Sequence, residues 1–241
     1  MTKPEGAQRE LASEAERLRF IADASEALLS SLDYEQTLQN LADHAVPALG
    51  DWCAVDMLDD AGGLARLAVA HTDAEKVRLA HQLWERYPPK LSDPLGLPNV
   101  LRTGEPEMMP DIPDELLVKS AIDDEHLRIA RALGLRSYVV FPLKSRGKTL
   151  GALTLVHAES GRRYSEESLS FIGDVARVAA IGVENARLYR RERQARLRAE
   201  AVLREVEKQS REVEQLMVEM RAAKERAERR VAELESRGLG S

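Results

Sequence analysis

The sequence contains a single cysteine, Cys53, among its 241 residues. One cysteine cannot form a disulfide within the chain, which excludes the disulfide-rich class of small secreted proteins and favours a reducing compartment. The N-terminal stretch MTKPEGAQRELASEAERLRF lacks the apolar core of a signal peptide. No apolar run approaches the ~20 residues that span a bilayer. These absences predict a cytoplasmic protein that does not enter a membrane.

Aromatic residues are also scarce, at 4 % of the chain, whereas charged residues make up 32 %. This balance predicts a compact domain joined to a charged helical segment. The net charge of −6 is uneven: residues 187–241 hold 15 Lys/Arg and 11 Asp/Glu, which leaves −10 on the rest. An acidic body repels polyanions, so nucleic acid is not expected as a partner. We interpret the basic stretch Arg187–Arg198 as the solvated side of a coiled coil.

Hydrophobic periodicity predicts a mixture of helices and strands. The predicted helices run from about Ala7 to Ser30, from Asp33 to Pro47, from a capping box at Thr72 and Glu75, and from Asp124 to a C-cap at Gly134. The predicted strands are Trp52–Leu58, Leu64–Ala70, Ser137–Leu143 and Thr149–His157. Gly62–Gly63 and Gly147 are placed in the turns of two hairpins.

The stretch from Tyr87 to Asp114 holds seven of the ten prolines. Proline fixes φ and removes an amide donor, so long regular elements are excluded there. Long irregular segments inside compact domains are often functional loops. Within it we predict only a short helix at Asn99–Arg102 and a short edge strand at Glu107–Met109.

A helix capped by Ser165 is predicted to continue to about Ser236, because this stretch has no proline and only two glycines. A heptad pattern begins at Leu188 and predicts a homodimeric coiled coil about 70 Å long. Polar Gln209 and several alanines in the seam predict moderate stability, as a two-state signalling coil requires. The residues assigned to the seam are Leu188, Ala195, Ala199, Val202, Val206, Val213, Leu216, Met220, Ala227 and Leu234.

Three motifs in order resemble the bacterial GAF domain family, as found in multi-sensor histidine kinases and serine-phosphatase regulators. They are DWCAVDMLDDAGG, VLRTGEPEMMPDIPDE and the segment from LGLRSYVVFPLKSRGK to IGVENARLYRRE. The resemblance implies an α+β, PAS-like fold: an antiparallel sheet of five or six strands with helices on both faces and a small-molecule pocket. It divides the chain into an N-terminal dimer-forming helix (1–30), a GAF domain (31–186) and a coiled-coil helix (187–241) that carries the output.

Strand alternation and family position together identify nine candidate pocket residues. They are Val55, Met57, Leu67, Val69, Leu101, Met108, Ile112, Tyr138 and Val140. The Asn-Lys, Phe and Asp-Glu motif of cyclic-nucleotide-binding members is absent, as is the late Cys-His of bilin-binding members. Methionine-sulfoxide reduction in this family needs more than one cysteine. The cofactor or ligand therefore stays unknown, and Cys53 is expected to be a small core residue.

The five histidines, His44, His71, His81, His126 and His157, do not form a close ligand pair, so a metal site is not expected. No catalytic motif is visible, and a non-enzymatic sensor is the favoured interpretation. Three alternatives stay open. The domain can be a dimerisation scaffold whose coil recruits a partner, the front end of a longer histidine kinase or phosphatase, or a chromophore or haem sensor using His71 or His157.

Overall fold

The computed structural model describes residues 14–15, 17–26, 34–59 and 62–238. The chain divides into two compact units, Met1–Leu188 and Tyr189–Ser241. The predicted cap at Asp33 lies outside the described residues, as do Asp60 and Ala61 of the first hairpin turn. Among the described helices, none combines the length and apolar character needed to cross a bilayer.

The first unit is built on a five-stranded antiparallel sheet of order β2-β1-β5-β4-β3. Its strands are β1 (Trp52–Leu58), β2 (Leu64–Ala70), β3 (Glu107–Met109), β4 (Ser137–Ser145) and β5 (Lys148–His157). The pattern of small and β-branched residues in β1, β4 and β5 suits strands covered on both faces. The sequence-based prediction of an antiparallel sheet is confirmed, and β1, β2 and β3 have the predicted bounds.

The β4–β5 hairpin is longer and tighter than predicted. Arg146 and Gly147 both have positive φ, 49° and 77°. Two consecutive residues of this kind form a type I′ turn, whose twist matches that of paired strands. The ladder therefore continues to the pair Ser145–Lys148, where the sequence pattern had suggested a five-residue loop.

One face of the sheet packs against three helices: α1 (residues 17–26), α2 (Tyr34–Ala45) and the first turns of α7, which begins at Glu166. Their shared core contains Phe20, Leu38, Leu41, Ile172, Val175, Ala179 and Val183, with Val55, Leu153 and Leu155 from the sheet. Helix α2 also covers the edge of the sheet, because the Gln39 amide exchanges hydrogen bonds with the backbone of Val69. These hydrogen bonds satisfy backbone groups of the edge strand β2 that could otherwise pair with a strand of another chain.

The other face packs against shorter helices. They are α3 (Ala74–Arg86), α4 (Leu97–Thr103) and α6 (Asp124–Leu133), and α5 (Asp114–Ser120) lies against α6. Helices therefore cover both faces, as the fold prediction required. Helix α5 was not predicted, because its acidic N-terminus follows a proline-rich stretch and none of its residues is buried.

Two helix termini illustrate how local chemistry sets the boundaries. The N-cap of α3 is Asp73, whose carboxylate accepts from the Glu75 amide, rather than the predicted Thr72. A carboxylate at this position accepts a hydrogen bond from a free backbone amide. Its negative charge is also attracted to the positive end of the helix dipole. Helix α6 ends as predicted at Gly134, which adopts the left-handed conformation with φ 70°.

Helix α7 runs from Glu166 to Gly238, 73 residues without interruption. The second unit, Tyr189–Ser241, consists within its described residues of this helix alone. The prediction of a long C-terminal helix is confirmed.

Candidate functional site

A cavity of about 180 Å3 lies between the sheet and helices α3 and α6. We call it the α3/α6 cavity. It is lined by Trp52, Cys53, Ala54, Arg66, Val69, Ala80, Leu83, Leu133, Leu135, Thr154 and Val156. Its walls are mostly apolar, and the polar groups that reach it are few, which is the usual composition of a small-molecule site.

Strand register explains which side chains form the floor of the cavity. Val69, Ala54, Thr154 and Val140 face one another in a single cross-strand row. Successive residues point to opposite faces of a sheet, so this row lies on the face away from α7. Ala54, the smallest residue of this row, lines the cavity beneath α3.

Two residues that line the cavity hold buried polar atoms without a partner. Among the described residues, the only such side-chain atoms are Trp52 Nε1, Thr154 Oγ1 and His157 Nδ1. Trp52 itself is buried, with 5 % of its surface exposed. Buried polar groups in folded proteins are nearly always hydrogen-bonded, so two unpartnered groups at one cavity indicate a place where a ligand group or water completes the bonding.

A buried ion pair lies next to this cavity. Arg66 donates to Asp56 through Nε at 2.8 Å and Nη2 at 3.1 Å. The Asp56 side chain is 0 % exposed and that of Arg66 is 19 % exposed. Burial raises the pKa of Asp56, and the Arg66 guanidinium partly offsets that rise. The same guanidinium stacks 4.1 Å from the centre of the Trp84 ring, so it is fixed from both sides.

A second polar cluster joins the proline-rich segment to the sheet. The Glu107 carboxylate accepts from the Gly96 amide and Asn99 Nδ2, each at 2.6 Å, and from the Tyr138 hydroxyl. Burial together with this bond raises the pKa of Tyr138. These contacts hold α4 over β4, where Leu101 packs near Val140. The segment that the sequence marked as a loop is thus anchored by one carboxylate.

The two strand-end histidines lie beside the same end of the sheet. His71 packs 4.2 Å from the Trp52 ring, and its Nε2 is 3.2 Å from Glu159. His157 stacks on Tyr164 at 4.2 Å. Burial lowers the pKa of both imidazoles, so both are neutral near pH 7. Cys53 is fully buried, as predicted, and burial raises the pKa of its thiol, which makes it unreactive.

The structure divides the nine candidate pocket residues between the two faces of the sheet. Val55, Met57, Leu67 and Met108 contact the core beneath α1, α2 and α7 and so point away from the cavity. Val69, Tyr138 and Val140 lie on the cavity face, with Leu101 above them on α4. Ile112 is half-buried in the loop after β3, where its amide donates to Arg136. Only Val69 of the nine lines the cavity itself.

The candidates fall on both faces because alternation along a strand separates its residues into two sets. It does not show which set lies under which helices. The sequence-based choice of Val55 and Met57 selected the face that α7 occupies. Trp52, Ala54, Arg66 and Thr154 line the cavity but were not among the sequence-based candidates. A usable signal was present: the polar interruptions Asp56 and Thr154 mark the opposite face of two otherwise apolar strands.

The predicted seam residues of the second unit project from α7 as exposed apolar side chains. Val202, Val206, Val213, Leu216 and Met220 are each more than half exposed. Leu188 is the last residue of the first unit and is also exposed. Ala195, Ala199 and Ala227 are exposed at the same helical face by heptad position, and Leu234 lies within α7. Apolar rows of this kind are stable in water only when another surface covers them.

Comparison with known proteins agrees with this architecture. The family model described as GAF domain matches residues 33–183. No curated protein matches the chain by sequence. Solved structures with the same fold share about a fifth of their residues with it or fewer.

One similar structure is the GAF domain of a candidate sensor histidine kinase from Pseudomonas syringae pv. tomato, with 19 % identity and a TM-score of 0.50, covering 76 % of this chain and 97 % of that one. A second is the GAF domain of a phosphoenolpyruvate-protein phosphotransferase from Coxiella burnetii, with 21 % identity and a TM-score of 0.52, covering 72 % and 95 %. A third is the free methionine-R-sulfoxide reductase from Neisseria meningitidis, with 17 % identity and a TM-score of 0.50, covering 73 % and 92 %.

Proposed function

The chain belongs to the GAF domain family, and from this we propose that it is a non-enzymatic signal-sensing module. In this proposal a small molecule binds in the α3/α6 cavity, and the binding event passes through the sheet to α7. Two copies pair through α7, and the paired helix regulates a signalling enzyme such as a histidine kinase or a phosphatase. GAF domains are commonly signal-sensing modules in sensor kinases, which fits this role.

The observation that carries the proposal is that the same two strands, β1 and β5, contact both the cavity and α7. Thr154 lines the cavity, while its neighbours Leu153 and Leu155 belong to the core that contains Val175 and Ala179 of α7. Ala54 and Val55 are related in the same way on β1. Because close-packed cores transmit small displacements, a shift of β1 or β5 on ligand binding changes how α7 packs.

Pairing through α7 is supported by the apolar row of the second unit. A helix with exposed valine, leucine and methionine at heptad spacing needs a partner surface, and an identical chain is always present. The moderate seam, with several alanines and Gln209, suits a coil that changes between two packings separated by a few kcal/mol.

The pairing is tested with two matched substitutions on α7. Val213 occupies a seam position and is 54 % exposed, while Val218 occupies an outward position and is 68 % exposed. We expect Val213→Asp to dissociate the dimer, because a carboxylate in the seam is desolvated without a partner. Val218→Asp leaves the dimer intact. Sedimentation velocity of the intact chain measures both; a monomeric parent chain, or equal effects of the two variants, refutes the pairing.

Ligand binding is tested by native mass spectrometry of the purified chain. A dimer carrying a discrete additional mass supports the sensor, and the mass identifies the ligand class. The variant Ala80→Leu fills the cavity from α3, so it should lose that mass while keeping the dimer. A dimer that never carries an adduct favours the dimerisation scaffold instead.

A further inference from the structure

We propose that the ligand of the α3/α6 cavity is a small, neutral, mainly apolar molecule that bears one hydroxyl or carbonyl group. This inference rests on the ligand-binding half of the proposed function. The volume of the cavity, the charge of its lining and its two unpartnered polar atoms support it.

The volume sets the size of the ligand. The cavity measures about 180 Å3. Apolar protein cavities of about 150 Å3 hold benzene, and sites for drug-sized ligands start at about 300 Å3. A six-membered ring with one or two substituents therefore fits, whereas a nucleotide or a tetrapyrrole does not.

The charge of the lining favours a neutral ligand. Among the described residues that line the cavity, Arg66 is the one with a formal charge. Its guanidinium already forms a two-point ion pair with buried Asp56 and stacks on Trp84. An added anion would have to compete with Asp56, and an added cation would meet Arg66 itself. Either ion would be desolvated without a partner, which is strongly unfavourable.

The two unpartnered polar atoms determine which kind of polar group the ligand carries. Trp52 Nε1 can only donate a hydrogen bond, while Thr154 Oγ1 can donate or accept. Both atoms are buried and lack a partner. Trp52 pairs with Val156, and Ala54 pairs with Thr154. Trp52 and Thr154 are therefore diagonal neighbours on one sheet face, with their Cα atoms about 7–8 Å apart. A ligand hydroxyl accepts from Trp52 and donates to Thr154, and a carbonyl accepts from both.

Three aromatic probes separate these features: phenol and toluene, which are nearly equal in size, and the slightly larger anion benzoate. Each is titrated into the intact chain labelled with 15N. The chain has two tryptophans, Trp52 in the cavity wall and Trp84 beside Arg66, so the two indole N–H resonances report directly on the site. We expect phenol to bind about tenfold more tightly than toluene, because its hydroxyl forms hydrogen bonds with both buried atoms, and to shift the Trp52 resonance. Benzoate should not bind.

Two variants of Thr154 provide the matched control. Thr154→Val keeps the shape and removes the hydroxyl, so phenol affinity should fall to within about threefold of toluene affinity. Thr154→Ser keeps the hydroxyl and should preserve the preference for phenol. If Thr154→Val does not fold, the comparison of the three probes on the parent chain still decides.

Several outcomes overturn the ligand class. They are equal affinity for toluene and phenol, tighter binding of benzoate, or no binding of any probe at millimolar concentration, which would show a water-filled site. The proposed function fails separately, through a monomeric chain in sedimentation. A dimer that carries a large or charged adduct in native mass spectrometry keeps the sensor and refutes only this ligand class.

Discussion

Removing Arg66 while leaving Asp56 in place should destabilise the GAF domain strongly. In Arg66→Met the long apolar stem is kept, but the guanidinium that pairs with the fully buried carboxylate is lost. An uncompensated charge then lies beneath the cavity, next to Ala152 across the β1–β5 ladder. Its cost arises from desolvation, since water does not reach the side chain.

The magnitude follows from burial. Breaking a buried ion pair by deleting one partner costs about 3–5 kcal/mol, because the remaining charge stays in a poor solvent. Loss of the stacking on Trp84 adds about 0.5–1 kcal/mol, since Arg66 is partly exposed. Replacing both partners, as in Asp56→Leu with Arg66→Met, removes the charge itself. That double variant should lie within about 1 kcal/mol of the parent, because buried pairs gain little over apolar residues of similar size.

The loss should also depend on pH in one direction. Burial raises the pKa of Asp56, and removal of Arg66 raises it further. The folded state then binds a proton more tightly than the unfolded state, whose carboxyl has its ordinary pKa near 3.9. The deficit is therefore largest above the raised pKa and shrinks as the pH falls towards 4.

Urea unfolding followed by tryptophan fluorescence measures these differences, because Trp52 and Trp84 both lie in this part of the domain. Protein concentration is held constant, since pairing through α7 would contribute to apparent stability. A loss below about 1 kcal/mol in Arg66→Met, a loss that does not vary between pH 5 and pH 8, or a double variant as unstable as the single one would refute the reasoning.

Two further predictions concern His157 and Gly134. The lowered pKa of His157 means that the unfolded state binds more protons below pH 6.5, so the domain should lose stability as the pH falls from 7 to 5. His157→Phe keeps the stacking on Tyr164 and should reduce that loss; identical pH profiles in urea unfolding would contradict the assignment. Gly134→Ala should cost about 1–2 kcal/mol, because its φ of 70° is strained for a side chain, while the added methyl group would make only ordinary van der Waals contacts with Glu159 and Lys76. Gly134→Asn should cost less, since asparagine tolerates this conformation, and equal thermal shifts for the two would refute the backbone explanation.

Much of the fold was predictable because its signals are local. The alternation in WCAVDML and LARLAVA predicts β1 and β2 to the residue, and Gly134 predicts the end of α6. Asp73 shows the limit of such signals, because two neighbouring residues both suit an N-cap and only the backbone path selects one. Helix α5 has no buried residue, so it left little hydrophobic pattern to read.

The sequence predicted the antiparallel sheet and the long helix α7, since periodicity and turn chemistry act over a few residues, and its ordered motifs indicated the GAF family by resemblance. It did not determine which sheet face holds the cavity. That depends on long-range packing: α2 and α7 cover Val55 and Leu155, while α3 and α6 leave space above Ala54 and Thr154. The side chains of neighbouring residues on a strand point to opposite faces of the sheet. Only the packing of helices that are distant in sequence decides which of these faces contacts a ligand.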